Sequence, residues 1–378
     1  MTTRILFALF VVTSVWACGG DSVTTSAPPT LERGLHEVGN LSKPRYWHAA
    51  TLLPNGKVLI AGGLAEPPTE VQDPSPGGTV IWRPSGSLAS AEVFDPETGI
   101  STPTGDMTAR RYNDNGFLLP DGRVLIMPGN GILPIEMYDP HSGRFDAVAG
   151  MPSNVNITTA TLLPSGEVFV TSWDHTGVFD PDTRAFHSIF KREETRRLHT
   201  ATLLKDGRVL VVGGVRRGFE DGLVGRNVIY DPSSRGVSEA GNLQFDRTNH
   251  KAVLLQDGKV LIVGGHTETG TFLQTAETYD PETNAFSPAG VSTIDPSAAV
   301  LLPSGDVLLI RSYNGDIALY NPDTHVFSPT GHSIGWRSLP TVTLLADGRV
   351  MIAGGSKDAD NGHSVKEEIS DQILIFTP

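Results

Sequence analysis

Short runs of apolar residues recur along the chain at intervals of about 50 residues, each directly behind a Leu-Leu pair and a polar turn. The seven copies are LLPNGKVLIAGG at Leu52, LLPDGRVLIMPG at Leu118, LLPSGEVFVTSW at Leu162, LLKDGRVLVVGG at Leu203, LLQDGKVLIVGG at Leu254, LLPSGDVLLIRS at Leu301 and LLADGRVMIAGG at Leu344. The apolar runs are continuous and do not alternate with polar residues. This pattern predicts strands that are buried on both faces, as in units stacked side by side.

Every copy has a glycine four residues after its first leucine, preceded by Asn, Asp or Ser. The seven glycines are Gly56, Gly122, Gly166, Gly207, Gly258, Gly305 and Gly348. Glycine adopts positive φ without a Cβ clash, so this pattern predicts a tight hairpin turn between two strands.

A second turn signal follows each of the first six copies. It is an aromatic residue, then Asp or Asn, then Pro: Phe94-Asp95-Pro96, Tyr138-Asp139-Pro140, Phe179-Asp180-Pro181, Tyr230-Asp231-Pro232, Tyr279-Asp280-Pro281 and Tyr320-Asn321-Pro322. The Asp or Asn side chain can accept a local backbone hydrogen bond, and Pro presets φ, so each copy should contain four short strands. The chain stops where the seventh copy needs its fourth strand. Leu31 to Leu41 has the spacing of a fourth strand, and we expect it to complete that copy and close the ring.

These features resemble kelch repeats, which build β-propellers. The resemblance rests on the repeat spacing, the aromatic-Asp-Pro turn and the double glycines Gly62-Gly63, Gly213-Gly214, Gly264-Gly265 and Gly354-Gly355. It covers Leu31 to Pro378 and implies an all-β, seven-bladed propeller of four-stranded kelch-type blades, closed by the N-terminal strand. Blades two, three and six depart from the pattern, with Pro128-Gly129, Ser172-Trp173 and Arg311-Ser312 in place of the glycine pair.

The N-terminus is typical of an export signal. Ile5 to Trp16 is an apolar run of about 18 Å as a helix, shorter than the roughly 30 Å core of a membrane. Ala17-Cys18 resembles a bacterial lipobox, which implies lipidation of Cys18, although cleavage after Ala17 without lipidation also suits Val15-Trp16-Ala17. We expect a signal peptide over 1–17, a flexible tether over 18–30 and the propeller over 31–378. The protein is then exported to the cell envelope and touches a membrane through its lipid only.

Composition limits the partners. The net charge of -13 disfavours nucleic acid, and a single cysteine excludes a disulfide framework and any multi-cysteine metal site. We expect no cofactor, no metal and a monomer.

Loop lengths predict which face binds. The turns at the seven glycines, which we call x-Gly turns, and the Asp-Pro turns are short and share one face. The other face carries four insertions: Leu64 to Ala89, Val215 to Asn227, His266 to Thr275 and Ser356 to Gln372. Insertions confined to one face are typical of a binding face.

Candidate ligand-binding residues lie in the links between blades, on that same face. We call the first leucine of each copy its anchor leucine. Five arginines lie seven residues before an anchor leucine: Arg45, Arg111, Arg196, Arg247 and Arg337. The aromatic residues Trp47, Tyr112 and Trp336 lie beside them. Such residues could form a cationic, aromatic cup for a carboxylated sugar or an acidic peptide. Residues that recur in five of seven blades could instead hydrogen-bond loop carbonyls between blades. Residues that break the repeat, Asn113, Trp173 and His175, are further candidates.

Three histidines, His48, His199 and His250, recur four residues before their anchor leucines. They belong to blades one, four and five, and blades one and four lie far apart in the ring, so we expect hydrogen-bonded structural histidines and no metal site.

Two function classes are considered beside a purely structural scaffold. The first is a binding module for a saccharide or protein ligand. The second is a carbohydrate-active enzyme, which the resemblance implies because extracytoplasmic kelch propellers include copper-radical oxidases and sialic-acid epimerases. The oxidase chemistry needs a Cys crosslinked to Tyr, and the one cysteine is Cys18 in the signal region. An epimerase or lyase would need an acid–base pair, for which Asp114, or Asp174 with His175, near Arg111 could serve.

Overall fold

The structure is a computed structural model that describes residues 32–72, 80–129, 133–148, 157–172, 175–189, 196–215, 226–312, 314–358 and 367–378. Regular secondary structure in these ranges is entirely β-strand. The strands form seven four-stranded antiparallel sheets and two hairpins. The sheets are the blades of a β-propeller, as the sequence predicts.

The first half of the described chain contains three blades. From the N-terminus, β1 (Gly34–Asn40) precedes blade one, which consists of β2 (Ala49–Leu52), β3 (Val58–Ala61), β6 (Ala91–Asp95) and β7 (Ile100–Pro103). The hairpin β4 (Leu64–Gln72) and β5 (Val80–Ser87) is inserted between β3 and β6. Blade two is β8 (Asn115–Leu118), β9 (Val124–Met127), β10 (Ile135–Asp139) and β11 (Arg144–Val148), and blade three is β12 (Ile157–Leu162), β13 (Val168–Ser172), β14 (Thr176–Asp180) and β15 (Ala185–Ser188).

The second half contains the other four. Blade four is β16 (Thr200–Leu203), β17 (Val209–Val212), β18 (Val228–Asp231) and β19 (Gly236–Glu239), and blade five is β20 (Lys251–Leu254), β21 (Val260–Val263), β22 (Thr275–Asp280) and β23 (Ala285–Val291). Blade six is β24 (Ala298–Leu301), β25 (Val307–Ile310), β26 (Asp316–Asn321) and β27 (Val326–Ser333). Blade seven is β28 (Thr341–Leu344), β29 (Val350–Ala353), β32 (Gln372–Thr377) and β1, with the hairpin β30 (Ser356–Asp358) and β31 (Glu367–Ile369) inserted.

The N-terminal strand closes the ring. β1 pairs antiparallel with β32, from Gly34 opposite Thr377 to Asn40 opposite Gln372. The next residue continues the pairing, because the backbone N–H of Leu41 donates to the Asp371 carbonyl at 2.7 Å. The prediction that this segment supplies the missing fourth strand is therefore confirmed.

The predicted turns have the expected geometry. All seven x-Gly glycines have positive φ, from 81° at Gly56 to 96° at Gly305. In the Asp-Pro turns the side chain accepts a backbone hydrogen bond two residues on, for example from the N–H of His141 to Asp139 at 2.8 Å. Both kinds of turn lie on one face of the ring, which we call the short-turn face.

The core consists of hydrophobic clusters between neighbouring blades, one at each of the seven junctions. At the junction of blades seven and one, Val58 and Ile60 pack with Ile373 and Ile375, and none of the four is exposed. Burying such a side chain contributes about 1.5–3 kcal/mol. The second strand of every blade is buried on both faces, which explains its unbroken apolar sequence.

The opposite face, which we call the loop-rich face, carries the blade links and the loops between second and third strands. Both inserted hairpins are on it, and β31 packs against β4. The two longest insertions are therefore neighbours. Within the described ranges no helix has the length and apolar character needed to cross a membrane.

Candidate functional site

The five recurrent arginines are buried and do not form an open cup. Their exposed fractions are 0% for Arg45, Arg111 and Arg247, 2% for Arg337 and 7% for Arg196. Guanidinium groups in this state have their donors directed at protein acceptors. The geometry fits the structural role considered above.

Arg247 shows what the arginine does. Its Nη1 donates to the carbonyls of Gly264 at 3.0 Å and Thr275 at 2.8 Å, and its Nη2 donates to Glu277 at 2.6 Å. The other oxygen of Glu277 accepts the backbone N–H of Gln244 in the blade link at 2.8 Å. Burial lowers the pKa of Arg247, and the adjacent Glu277 carboxylate opposes that shift. The ion pair thus ties the link to the loop of its own blade.

The same arrangement recurs in two other blades. Arg45 pairs with Glu92 at 2.9 Å, and Glu92 accepts the backbone N–H of Ser42 at 2.7 Å. Arg111 pairs with Glu136, which accepts the N–H of Thr108 at 2.8 Å. In each case the carboxylate binds the link three residues before the arginine.

The arginine accompanies the double glycine. In blades one, four, five and seven it donates to the carbonyl of the first glycine, as Arg45 does to Gly62 at 2.9 Å. Blades three and six have neither the arginine nor the glycine pair. Blade two keeps Arg111, which donates instead to the Pro134 carbonyl at 2.9 Å. The arginines therefore recur because the loop geometry recurs.

Two residues after each arginine, the backbone enters the left-handed region at a residue that is not glycine. We call these five residues the rim: Trp47 (φ 53°), Asn113 (58°), Leu198 (56°), Asn249 (57°) and Leu339 (56°). Bulky residues rarely adopt this conformation. Backbone bonds between neighbouring links hold it, from the N–H of Asn113 to the Trp47 carbonyl and from Asn249 to Leu198, both 2.7 Å. The rim side chains of Asn113, Leu198, Asn249 and Leu339 are exposed.

The predicted aromatic residues are divided between two places. Trp47 stacks on Tyr112 with ring centroids 5.9 Å apart and an interplanar angle of 19°. Tyr46 lies against Trp47 at 5.8 Å. Trp336 belongs to another link and is 46% exposed. The structure therefore brings Trp47, Tyr112 and Asn113 together, and Trp336 is separate.

Of the remaining predicted residues, the structure describes His175. His175 closes a tight turn, with its backbone N–H donating to the Ser172 hydroxyl at 2.8 Å. Trp173, Asp174 and Cys18 lie outside the described residues.

The three recurrent histidines lie between the innermost strands. Each stands immediately before the first strand of its blade and bonds a threonine hydroxyl of the preceding blade through Nε2: His48 to Thr341 at 2.8 Å, His199 to Thr171 at 2.6 Å and His250 to Thr200 at 2.9 Å. Burial, with the Arg45 charge, lowers the pKa of His48 to about 3. We call this paired position the inter-blade slot. Its histidines are neutral and structural.

Asp114 occupies the same slot between blades one and two. Ala49 stands in blade one where blade seven has Thr341, so no hydroxyl faces the carboxylate. Both Asp114 oxygens are buried, and they make no hydrogen bond of normal geometry within the described residues. Burial raises the pKa of Asp114 to about 7, the Glu136 carboxylate adds to this, and Arg111 and the Gly129 N–H oppose it.

Asp114 lines a cavity of about 150 Å³ on the loop-rich face, at the ends of the innermost strands. Blades six, seven, one and two all contribute, through Trp47, His48, Asn113, Asp114, Ser297, Ala298, Ser312, Leu339, Pro340 and Thr341. Sequence reasoning identified Trp47, Asn113 and Asp114 and missed Ser297, Leu339 and Thr341. Aligning the seven links would have found these three, because they occupy the positions of His48, Trp47 and Thr200.

A wider groove of about 530 Å³ lies on the short-turn face between blades one and two. Its charged pair and its tyrosine are already partnered, Lys57 with Asp95 at 3.1 Å and Tyr138 with Thr104 at 2.9 Å. It lacks the unpaired charge of the Asp114 cavity and is the weaker candidate. Within the described ranges no three His, Cys, Asp or Glu side chains are grouped to hold a metal ion.

Comparisons with known proteins agree with this architecture. The family model of the kelch motif matches residues 247–290, which include the four strands of blade five up to Gly290. No curated protein sequence matches the chain.

Among solved structures, a catalytically inactive virginiamycin B lyase from Staphylococcus aureus with quinupristin aligns over 92% of this chain and 100% of its own, at 12% identity and a TM-score of 0.60. The protein YjhT aligns over 89% and 96%, at 13% identity and 0.50. A fungal alcohol oxidase of the AA5 family in complex with copper aligns over 92% and 77%, at 16% identity and 0.49. The likeness to the lyase and to YjhT, at identities this low, shows a shared fold alone.

Proposed function

Because this chain is a kelch-repeat β-propeller, a fold that supports binding and interaction in general, we propose that it is a binding module whose loop-rich face takes a saccharide or a protein. The proposal is carried by one observation. A cavity built by four blades opens among rim residues whose strained backbone is fixed by hydrogen bonds. Rigid elements that present variable side chains around a concavity are typical of binding sites.

Exposed apolar side chains support the same face. Leu198, Phe245, Val291, Trp336 and Leu339 are exposed by 38% to 61%, and all lie in or beside blade links. Exposed apolar patches mark interaction sites, aromatic side chains are enriched among the residues that dominate interface binding energy, and aromatic faces stack on sugars.

Glycan and peptide arrays probed with the purified protein test the proposal. Leu339→Ala and Trp47→Ala should weaken binding of any array ligand by tenfold or more, since both residues line the cavity. The controls Ile100→Ala and Val326→Ala remove exposed side chains next to the Asp-Pro turns and should bind normally. Equal losses in both pairs, or losses in the controls alone, would place the ligand elsewhere.

We also propose that the module is exported and anchored to the cell envelope through lipidated Cys18, on the sequence features of residues 1–20. Cys18→Ser should move the protein from the membrane fraction to the soluble fraction. Unchanged fractionation would remove the anchor from the proposal and leave the binding face unaffected.

Catalysis of the epimerase or lyase type is a second candidate, favoured by Asp114 alone. A carboxyl group with a pKa of about 7 can give and take a proton at neutral pH. Turnover of array ligands by the protein, abolished in Asp114→Asn, would support it. Binding without turnover would leave the module non-catalytic.

A further inference from the structure

The Asp114 cavity has a chemical character that narrows its ligand. Trp47, Ala298, Leu339 and Pro340 give it apolar surface, and Ser297, Ser312 and Thr341 add hydroxyl groups. A cavity near 150 Å³ accommodates a group about the size of benzene. One side chain of a partner fits this space, and a chain of several sugar residues does not.

The local charges leave Asp114 uncompensated. Arg111 is paired with Glu136 in a fully buried ion pair, so the two charges cancel nearby. His48, which also lines the cavity, is neutral because burial lowers its pKa to about 3. An ionised Asp114 is therefore the unpaired charge among the described residues that line the cavity.

This charge selects among ligands. An anionic group would meet the Asp114 carboxylate without a counter-charge. A neutral group would leave the carboxylate without a cation. A primary ammonium supplies both the opposite charge and the N–H donors that the two oxygens lack. The net charge of -13 also favours approach of a cation.

We propose that the cavity receives a primary ammonium group on a slim alkyl stem, the chemistry of a lysine side chain presented by a partner protein. The inference rests on the proposed binding function and names its ligand class. The methylene stem packs on Trp47, Leu339 and Pro340. Because the Asp114 oxygens are buried in the free protein, the side chain turns about χ1 toward the cavity to meet the ammonium.

Calorimetric titration of the purified protein with Nα-acetyl-lysine N-methylamide tests the inference. The norleucine analogue has the same stem without the amine and should bind at least tenfold more weakly. The affinity of Asp114→Asn for the lysine probe should be lower by tenfold or more. The control Asp106→Asn changes an exposed aspartate in the same link and should bind the probe with the original affinity.

The pH profile provides a second readout. A carboxyl group that titrates at about 7 is ionised in roughly one molecule in eleven at pH 6 and ten in eleven at pH 8. Affinity for the lysine probe should rise about tenfold over this interval in the original chain and stay level in Asp114→Asn. The other charged or titratable groups around Asp114 are the Arg111–Glu136 ion pair and His48, and His48 stays neutral across this interval because burial lowers its pKa to about 3.

Several results would overturn the inference: no binding of the lysine probe, equal binding of the norleucine probe, tighter binding of glucosamine, or an unaffected Asp114→Asn variant. Failure of the proposed function has a different signature. Array ligands would then bind the Trp47→Ala and Leu339→Ala variants with the same affinity as the original chain.

Discussion

The slot between blades seven and one and the slot between blades one and two have the same positions and different chemistry. In the first, His48 and Thr341 satisfy each other across the junction at 2.8 Å. In the second, Asp114 is buried with Ala49 at the threonine position, and its oxygens have no normal hydrogen bond within the described residues. Other junctions therefore have a hydrogen-bonded histidine–threonine pair at positions where the junction of blades one and two has Asp114 and Ala49. A buried carboxyl group with neither oxygen hydrogen-bonded in the described chain, at a position where other blades have a bonded pair, suggests a site kept for function at the expense of stability.

Removing a structural contact that recurs between blades should have the largest effect. Arg247→Ala leaves the Glu277 carboxylate buried without its counter-charge and frees the carbonyls of Gly264 and Thr275. We expect a loss of about 3–5 kcal/mol in the free energy of unfolding, measured in urea. Arg226→Ala removes an exposed pair with Glu239 and should cost about 1 kcal/mol or less. A stable Arg247→Ala protein with altered ligand binding would instead favour a cup of ligand-binding arginines.

Neutralising Asp114 should stabilise the protein. Its folded pKa is raised to about 7 from an ordinary 3.8, so its stabilising contribution is complete below pH 3.8 and lost as the pH rises toward 7. The free energy of unfolding of Asp114→Asn should therefore exceed that of the original chain by about 2–4 kcal/mol at pH 8 and by progressively less at lower pH. Thermal unfolding from pH 4.5 to 8 measures this. A destabilised variant at pH 8 would mean that Asp114 has a partner in the folded protein.

The histidine slots should respond to pH in the opposite sense. Their folded pKa values lie well below 6.5, so the stability they contribute is complete above pH 6.5 and lost as the pH falls below it. At pH 5 each of these buried histidines should lower the free energy of unfolding by about 2 kcal/mol relative to pH 8. His48→Gln should remove one share of this acid sensitivity, and His141→Gln, which removes an exposed histidine, is the control. Identical acid sensitivity in both variants would contradict neutral, buried histidines.

The fold was predictable because its determinants are local. Gly56 and its six equivalents specify one turn, and the Asp-Pro pairs specify the other, each within a few residues. Ring closure followed from counting strands, since the tail lacked the one that Gly34–Asn40 supplies.

The site was less predictable because its contacts are long-range. Nothing near Arg247 in sequence indicates that its partners lie 17 to 30 residues away at Gly264, Thr275 and Glu277. The left-handed backbone at Trp47 and Leu339 runs against the preference of both residue types and is imposed by the links. Asp114 was visible as a break in the repeat, but its burial without a partner depends on Ala49 in the preceding blade.

Hydrogen exchange of the protein with and without an array-selected ligand tests the loop-rich face most directly. We predict protection on ligand binding at 45–49, 111–115 and 336–341, the links around the Asp114 cavity, and unchanged exchange at the Asp-Pro turns. Protection confined to the Asp-Pro turns would contradict it, because the ligand would then occupy the short-turn face.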